Sequence, residues 1–539
     1  MRIFAKRLFS RALRANAALL GNAALLIVVG SLWLPSATAD AGQTLKLGLA
    51  GEPQTLDPHR YNLRLEETLL NDLFMGLTTF DAAGEIVPGC ATHWDVSEDG
   101  LTWTFHLRED LKWSDGTPLT ATDFVYAQRR LQDPKTAASL AYFMHMLHNA
   151  EAINAGQLPT SELGVSAPDA TTVVMQLAKP YPYLLERLLY PTAFPVPAHV
   201  IEKVGEAWVK PEHWVSNGAY VLDAWIPRAR VALRRNPEFY ASAAIASVHY
   251  IPVDNEQTAY NRFRTGDLHV IGSFPAAELP GLQASQPEKL RLSNLLSMMY
   301  LVFNTTTAPF DDVRVRQALA LAIDQEILTE RVLKTGNRPE VTFTPDLVKD
   351  FDGAPLPHAG QPRKQRLAAA RQLLAAAGYS QAKPLEVTLR HVNGIDNKKA
   401  NLAITGMWRE LGVRAKLQQA DLRTHFAALR EGDFSVAWAG WVGENNAEHY
   451  LSLLQSSIGN VNYGRFSNTA FDQVMAQAQQ TADPSARNNL LQTAASIAVN
   501  YYPVVPLYSN AVRRLVEPNV GGWLENGRDM HQSRYLYWQ

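Results

Sequence analysis

Toward the C-terminal half of the chain, short runs in which apolar residues recur every second position alternate with longer runs of helical period. Residues 385–392 (LEVTLRHV), 413–420 (VRAKLQQA) and 434–439 (FSVAWA) read as strands, separated by helix-like stretches around 398–411 and 423–431. That alternation predicts βαβ units and a parallel sheet. The last of these strands ends in Gly440-Trp441 and runs into a polar loop carrying Glu444. Ligands of open α/β sheets sit just beyond the carboxyl ends of strands, so Glu444 is placed to face a bound group. The same residues equally suit a solvated surface loop, and the pattern alone leaves both readings open.

The same periodicities run through the rest of the chain. Residues 44–49 alternate like a strand and enter a turn-rich segment, 51–58, followed by a helix over about 66–75. Residues 102–107 alternate again, Asp115-Gly116-Thr117-Pro118 forms a tight turn, and Thr120 with Asp123 three positions on marks a helix start. Strands are predicted at 171–177, 218–226, 231–233, 248–253 and 299–303. Asp312 is placed to cap one long helix running to about Lys334 and stopped by Gly336, and a second helix over 363–377 ends at Gly378. One or two helices fill 471–499, and 504–507 reads as a last core strand. No repeat period of the solenoid or propeller kind is present.

Composition narrows the class. The chain has 539 residues, 47% hydrophobic and 19% charged, which suits two or three globular domains. A net charge of −2 supplies no electrostatic case for nucleic acid or an anionic membrane surface as partner. Arg2, Lys6, Arg7, Arg11 and Arg14 precede an apolar run from Ala17 to Leu34 and then Ala37-Thr38-Ala39. The run approaches the length of a membrane anchor, but the small-residue A-x-A pattern favours a cleavable signal peptide over residues 1–39, with the mature chain starting at Asp40. Cys90 is the only cysteine, so no intramolecular disulfide can form. Position 40 is Asp, not the cysteine of a lipoprotein, and a soluble periplasmic protein is expected.

Chemistry-bearing motifs are sparse. No H-E-x-x-H, G-x-S-x-G, Walker loop or helix-opening G-x-G-x-x-G occurs. His145 and His148 can share a helical face with Tyr142 and Met144, but no third ligand lies nearby in sequence, and no metal or cofactor is expected. Asp311/Asp312 and Glu66/Glu67 are better read as a helix start and a solvated helix face than as a glycosidase pair. A binding protein fits this inventory better than an enzyme.

Residues 94–125, with WTFHLREDLKWSDGTPLTATDF at their heart, closely resemble family 5 of the bacterial extracellular solute-binding proteins, the peptide-binding receptors of ABC importers. The resemblance continues in PQTLDPH (53–59), NGAY (217–220), NRFRTGDL (261–268), PFDDVRVRQALALAID (309–324), LLAAAGY (373–379), AGW (439–441) and VPLY (505–508). It implies a two-lobed α/β fold of the periplasmic binding-protein kind, type II-like with an extra domain and a hinge between lobes. Lobe I would comprise 40–74, 198–296 and 510–539, the extra domain 75–197, and lobe II 297–509. It further implies a monomer that traps solute by hinge closure and then docks on an inner-membrane ABC permease.

In the oligopeptide-binding branch the peptide pairs main chain to main chain with protein strands, and its α-ammonium meets an acid in the loop after the A-G-W strand. Carried over, Gly440, Trp441 and Val442 match the backbone-pairing segment and Glu444 the acid. The peptide branch has Asp followed by Tyr-Asn there, whereas this chain has Glu444-Asn445-Asn446-Ala447-Glu448-His449. Trp438 stands where some relatives carry a carboxylate-binding arginine, and Arg64 brings a cation to a segment bordering the cleft. Trp438 and Trp441 would form apolar walls; Ser273 and Val302 are smaller or less polar than their counterparts, and Asn462 and Tyr508 align with cleft positions. The expected cargo is a peptide or peptide-like solute. Murein peptides, opine-like conjugates or other amine-bearing solutes are alternatives, and a secreted hydrolase or an open-groove chaperone belong to other classes.

Overall fold

The computed structural model describes residues 44–539; the proposed signal peptide and the start at Asp40 lie outside the described residues. Two large mixed sheets carry the architecture. A seven-stranded sheet runs in the order Leu290–Asn294, Ala511–Val516, Val270–Ile271, Thr44–Leu49, Ser247–Pro252, Arg230–Arg235 and Tyr220–Ile226. A six-stranded sheet runs Arg338–Pro339, Val504–Ser509, Ser297–Phe303, Val436–Val442, Glu386–Val392 and Arg414–Ala420. A third sheet of four strands, Ala91–Val96, Thr102–Leu107, Thr172–Gln176 and Val165–Asp169, packs into the same apolar cluster as one face of the first.

The βαβ expectation holds for Glu386–Val392, Arg414–Ala420 and Val436–Val442, which pair in parallel through the helices Ile395–Arg409 and Leu422–Glu431. The sheet as a whole is mixed, because Val436–Val442 pairs antiparallel with Ser297–Phe303. Along Ser297–Phe303 every residue is buried and side chains sort by parity. Met299, Leu301 and Phe303 enter one apolar cluster, and Met298, Tyr300 and Val302 the other. Burial on both faces is what a central strand requires and explains its unbroken apolar run.

The chain crosses between the two large sheets twice, at residues 295–296 and at Asn510. Leu295 N–H donates to the Asn510 carbonyl at 2.8 Å, and Asn510 N–H to Ser297 Oγ at 3.0 Å, so the two crossings run side by side. Two adjacent single-strand connections are the geometry of a hinge, since only their few backbone torsions must change for the sheets to move against each other.

Several of the segments that read as motifs serve closure of the fold. Asn217 exchanges two hydrogen bonds with the Met75 backbone, at 3.1 and 2.8 Å, and a Cβ on Gly218 would meet the Leu73 carbonyl carbon at 2.4 Å. Asp57, within the 53–59 segment, accepts from Nη2 and Nη1 of Arg130 at 2.6 and 3.0 Å. Thr120 and Asp123 form the expected capping box.

Two expectations change. The helix predicted from Asp312 to about Lys334 stops at Ala322, and a wider, π-type helix spans Ile327–Leu333. Arg366 holds the Ile323 carbonyl at 2.5 Å and Asp324 at 2.9 Å, while Asp324 caps the second helix through Ile327 N–H at 3.0 Å. His145 and His148 do not share a helical face: Ala141–Met144 is one 3₁₀ turn, and His148 N–H is bonded to the Gln176 carbonyl.

Candidate functional site

At the foot of the hinge lies a crevice of about 360 Å³ lined by residues of both sheets' segments, among them Arg64, Tyr190, Leu296, Val442, Gly443 and Arg528. The Val436–Val442 strand leads into it. One edge of that strand is paired with Ser297–Phe303 along its whole length. The other edge is paired with Glu386–Val392 only at Val436 and Ala437. His425 Nε2 bonds the Trp438 carbonyl at 2.8 Å, and beyond it no described strand covers residues 439–442. An uncovered strand edge beside a cavity is a template for an added extended chain.

Gly440 leaves room on this edge for the Met299 side chain, since a Cβ there would fall 2.6 Å from Met299 Sδ unless that flexible chain shifted. Gly443 has a similar constraint: a Cβ would lie 2.4 Å from Cζ of Tyr450, whose ring is packed against it. Val442, 68% exposed, projects at the crevice mouth. The alternation of a strand sends Trp438 and Trp441 to opposite faces. Trp438 is buried in the apolar cluster that also contains Tyr508. Trp441 packs partly buried against the other cluster, edge-on to His449 at 5.8 Å. Val302 is also buried there.

Glu444 is 3% exposed, and its charge is already met. Arg187 Nη1 stands 2.7 Å from Glu444 Oε1, Asn446 Nδ2 donates to Oε2 at 3.4 Å, and His449 Nδ1 lies 3.6 Å from the same oxygen. Burial pushes the carboxyl upward from its ordinary pKa, and Arg187 pulls it back in part. His449 is held down at about 4 by burial, with the Arg187 charge adding to the effect, so the imidazole is neutral at pH 7. Arg187 ends the four-residue helix Leu184–Arg187, donates through Nε to the Tyr181 hydroxyl at 3.0 Å, and stacks over the Phe143 ring at 5.1 Å.

The neighbouring charges are paired as well. Arg64 bonds Glu67 at 3.0 Å and also reaches the Arg528 carbonyl; Arg528 in turn pairs with Glu186. Asp529 takes two hydrogen bonds from Arg514, at 2.7 and 2.6 Å. Across the gap, Arg487 lies 3.6 Å from Glu448 and over the Tyr183 ring at 5.3 Å, and Lys349 pairs with Glu85.

Of the remaining sequence candidates, Asn462 is buried with its amide committed to the backbone: Nδ2 donates to Phe466 at 2.8 Å and Gln455 at 3.2 Å, and Oδ1 accepts from Phe466 N–H at 3.1 Å. Tyr508 sits 4% exposed in a strand paired on both sides. Ser273 is half-buried just after the Val270–Ile271 strand. The structure therefore brings Arg64 and Val442 to the crevice, leaves Gly440 on the strand that leads into it and Glu444 buried in the loop just past it, and sets Trp438, Asn462 and Tyr508 within packed surroundings. Sequence reading missed Arg187, His449 and Arg528.

Two α/β lobes joined by paired crossings, with a crevice at the joint, define a hinged solute-binding protein of the two-lobed periplasmic type. The chain belongs to the bacterial extracellular solute-binding proteins, family 5, whose middle region matches residues 85–462. It is 36% identical to the probable deoxycholate-binding periplasmic protein YgiS of Escherichia coli K12, over 92% of this chain and 93% of that one. It is 37% identical to the periplasmic murein peptide-binding protein MppA of the same organism, over 94% and 95%. A structure of MppA in its unliganded open form superposes with a TM-score of 0.85 at 37% identity, covering 92% of this chain and 97% of that one. Haemophilus influenzae OppA in complex with the peptide RPPGFSPFR gives 0.71 at 33% identity, covering 92% and 99%.

Proposed function

We propose that this chain is the periplasmic receptor of an ABC importer, enclosing a peptide or peptide-like solute between its lobes and passing it unchanged to an inner-membrane permease. The observation that carries the reading is the uncovered edge of residues 439–442 beside the hinge crevice and the Glu444–Arg187 pair. A solute main chain extends that edge by hydrogen bonding, and the ion pair reads its charged end. The basic lead, apolar run and A-x-A of residues 1–39 support export, and relatives described as periplasmic support the compartment. Arg64, Val442 and Gly443 line the cavity, Gly440 belongs to the strand leading into it, and Trp441 packs edge-on to His449 beside the loop.

Each cation around the crevice already has an acid beside it. A solute bringing a lone ammonium to Glu444 must displace Arg187 or leave an excess positive charge enclosed, which costs several kcal/mol. A zwitterionic head, carrying both an ammonium and a carboxylate, can exchange with both members of the pair at once. A second reading, an amphipathic acid held through Arg187, is in line with the deoxycholate named for one relative; its carboxylate would have to take the place of Glu444 at that guanidinium.

Native mass spectrometry of the protein as purified, followed by identification of released solute, tests the proposal. Titration with a tripeptide, its N-acetyl form and a bile acid then separates the readings. Recovery of intact peptide and loss of affinity on acetylation supports the first; binding of the bile acid alone supports the second. Cleaved peptide, or no complex with either class, overturns both.

A further inference from the structure

Outside the lining of the hinge crevice, the hairpin formed by Ala91–Val96 and Thr102–Leu107 gathers two histidines and an aspartate. His93 and His106 are directly opposite each other across the strands, and Asp95 follows two positions on, facing the same way. One donor atom from each of the three lies within 4.8 Å of the others. The imidazoles stack at 4.3 Å and 12°, and Asp95 Oδ2 is 2.9 Å from His106 Nε2. We propose that His93, Asp95 and His106 form a surface binding site for a borderline divalent transition metal such as Zn²⁺, Ni²⁺ or Cu²⁺.

Hydrogen bonding around the cluster sets up the donors. Thr92 Oγ1 donates its single proton to the His106 carbonyl at 3.1 Å. Its 2.8 Å contact with His93 Nδ1 must then be a bond donated by the ring, so His93 carries its proton on Nδ1 and leaves the Nε2 lone pair free. An Nδ1–H fixed by an oxygen, with Nε2 open, is the arrangement that orients metal-ligating histidines. At His106 the contact between Nε2 and Asp95 is the position a cation takes over, the neutral ring then carrying its proton on Nδ1 instead of Nε2.

Two imidazoles and one carboxylate suit Zn²⁺, Ni²⁺ or Cu²⁺ rather than Mg²⁺ or Ca²⁺, which prefer oxygen ligands alone. Bringing donors from within 4.8 Å to metal bonds of about 2.1 Å needs only small side-chain rotations, because the paired strands already fix the backbone. Asp95 and His106 side chains are 74% and 35% exposed, so water completes the coordination sphere and substitution spares the core.

The test uses untagged protein treated with a chelator, then titrated with ZnCl₂, NiCl₂ or MgCl₂ by calorimetry and native mass spectrometry. One equivalent of Zn²⁺ or Ni²⁺, and none of Mg²⁺, is expected at micromolar concentrations. His93→Ala/His106→Ala should abolish that equivalent, and Thr92→Val should weaken it about tenfold, as loss of an orienting partner does. Cu²⁺ loaded on the wild type should show coupling to two nitrogens by electron paramagnetic resonance. Zn²⁺ binding of unchanged stoichiometry and affinity in the double-alanine variant, or no 1:1 complex in the wild type, would overturn the assignment.

Discussion

Arg187→Met isolates the buried ion pair at the hinge. The substitution keeps an unbranched apolar stem over the Phe143 ring while removing the guanidinium that faces Glu444 at 2.7 Å. Side-chain exposures of 17% for Arg187 and 3% for Glu444 leave little solvent to take the place of the lost partner. Stripping one member from a buried pair costs about 3–5 kcal/mol, because the remaining charge stays enclosed. Here the cost is tempered, since the Glu444 pKa is already raised by burial and would rise further without Arg187. The carboxyl can then escape the penalty by protonating, and His449, now about 4 in part through Arg187, regains basicity beside it. The sign follows: the variant's folded state holds on to a proton that the unfolded chain releases, so its stability deficit is small at acidic pH and grows toward pH 8. Urea denaturation at pH 5 and pH 8 should show a deficit of about 3 kcal/mol at the higher pH and a clearly smaller one at the lower. Adding Glu444→Gln to the Met variant should recover most of the pH 8 loss. A single variant as stable as the wild type at pH 8, or a double variant no better than the single, would refute the pairing argument.

Glu444→Gln alone should weaken binding of an amine-bearing peptide by about 1.5–3 kcal/mol, the range for a hydrogen bond to a charged group, and N-acetylation of the peptide should cost a similar amount in calorimetry. Glu340, 1% exposed, has its pKa pushed up to about 7 by burial, so its stabilising proton is retained at pH 5 and lost as pH rises through 7. That shift from an ordinary 4.5 corresponds to roughly 3 kcal/mol, and Glu340→Gln should raise Tm at pH 8 while changing little at pH 5. Asn462→Ala removes a buried amide that staples 454–466, and should cost about 2–3 kcal/mol of stability by denaturation while leaving solute affinity unchanged.

What could be read from the residues divides along a physical line. Strands were most legible where burial writes a strong period into the chain, as in Val436, Ala437, Trp438 and Ala439, which alternate between two clusters as their spacing requires, whereas the half-buried strands Leu290–Asn294 and Ala511–Val516 were not read. The same alternation shows why two tryptophans three apart cannot both wall one cleft. The break at Ile323 was not legible, since Arg366, which takes that carbonyl, comes from a different helix. Neither was the partner of Glu444. Arg187 lies in Leu184–Arg187, a helix too short to show a period, where a Glu186-Arg187 pair between leucines looks like any solvated face. His93 and His106 were hidden for a related reason: cross-strand register, not spacing along the chain, brings them together.

The charge pattern at the hinge bears on how such a receptor opens and closes. Arg187 and Tyr183 of one segment touch Glu444 and Arg487 on the far side of the crossings, while Glu186, between them, holds Arg528 on the C-terminal tail. A single short helix thus links both lobes in a structure whose overlay on an open, unliganded relative is close. On the proposed reading, closure around a solute need not create these contacts, and the free-energy difference between states comes from what the solute adds: hydrogen bonds along residues 439–442 and exchange of charge with the Glu444–Arg187 pair. A ligand shifts the equilibrium only by its differential affinity for the two states. Removing Arg187 should therefore alter both resting stability and the solute's charge preference, whereas altering Val442, which projects into the crevice without a polar partner, should alter affinity alone.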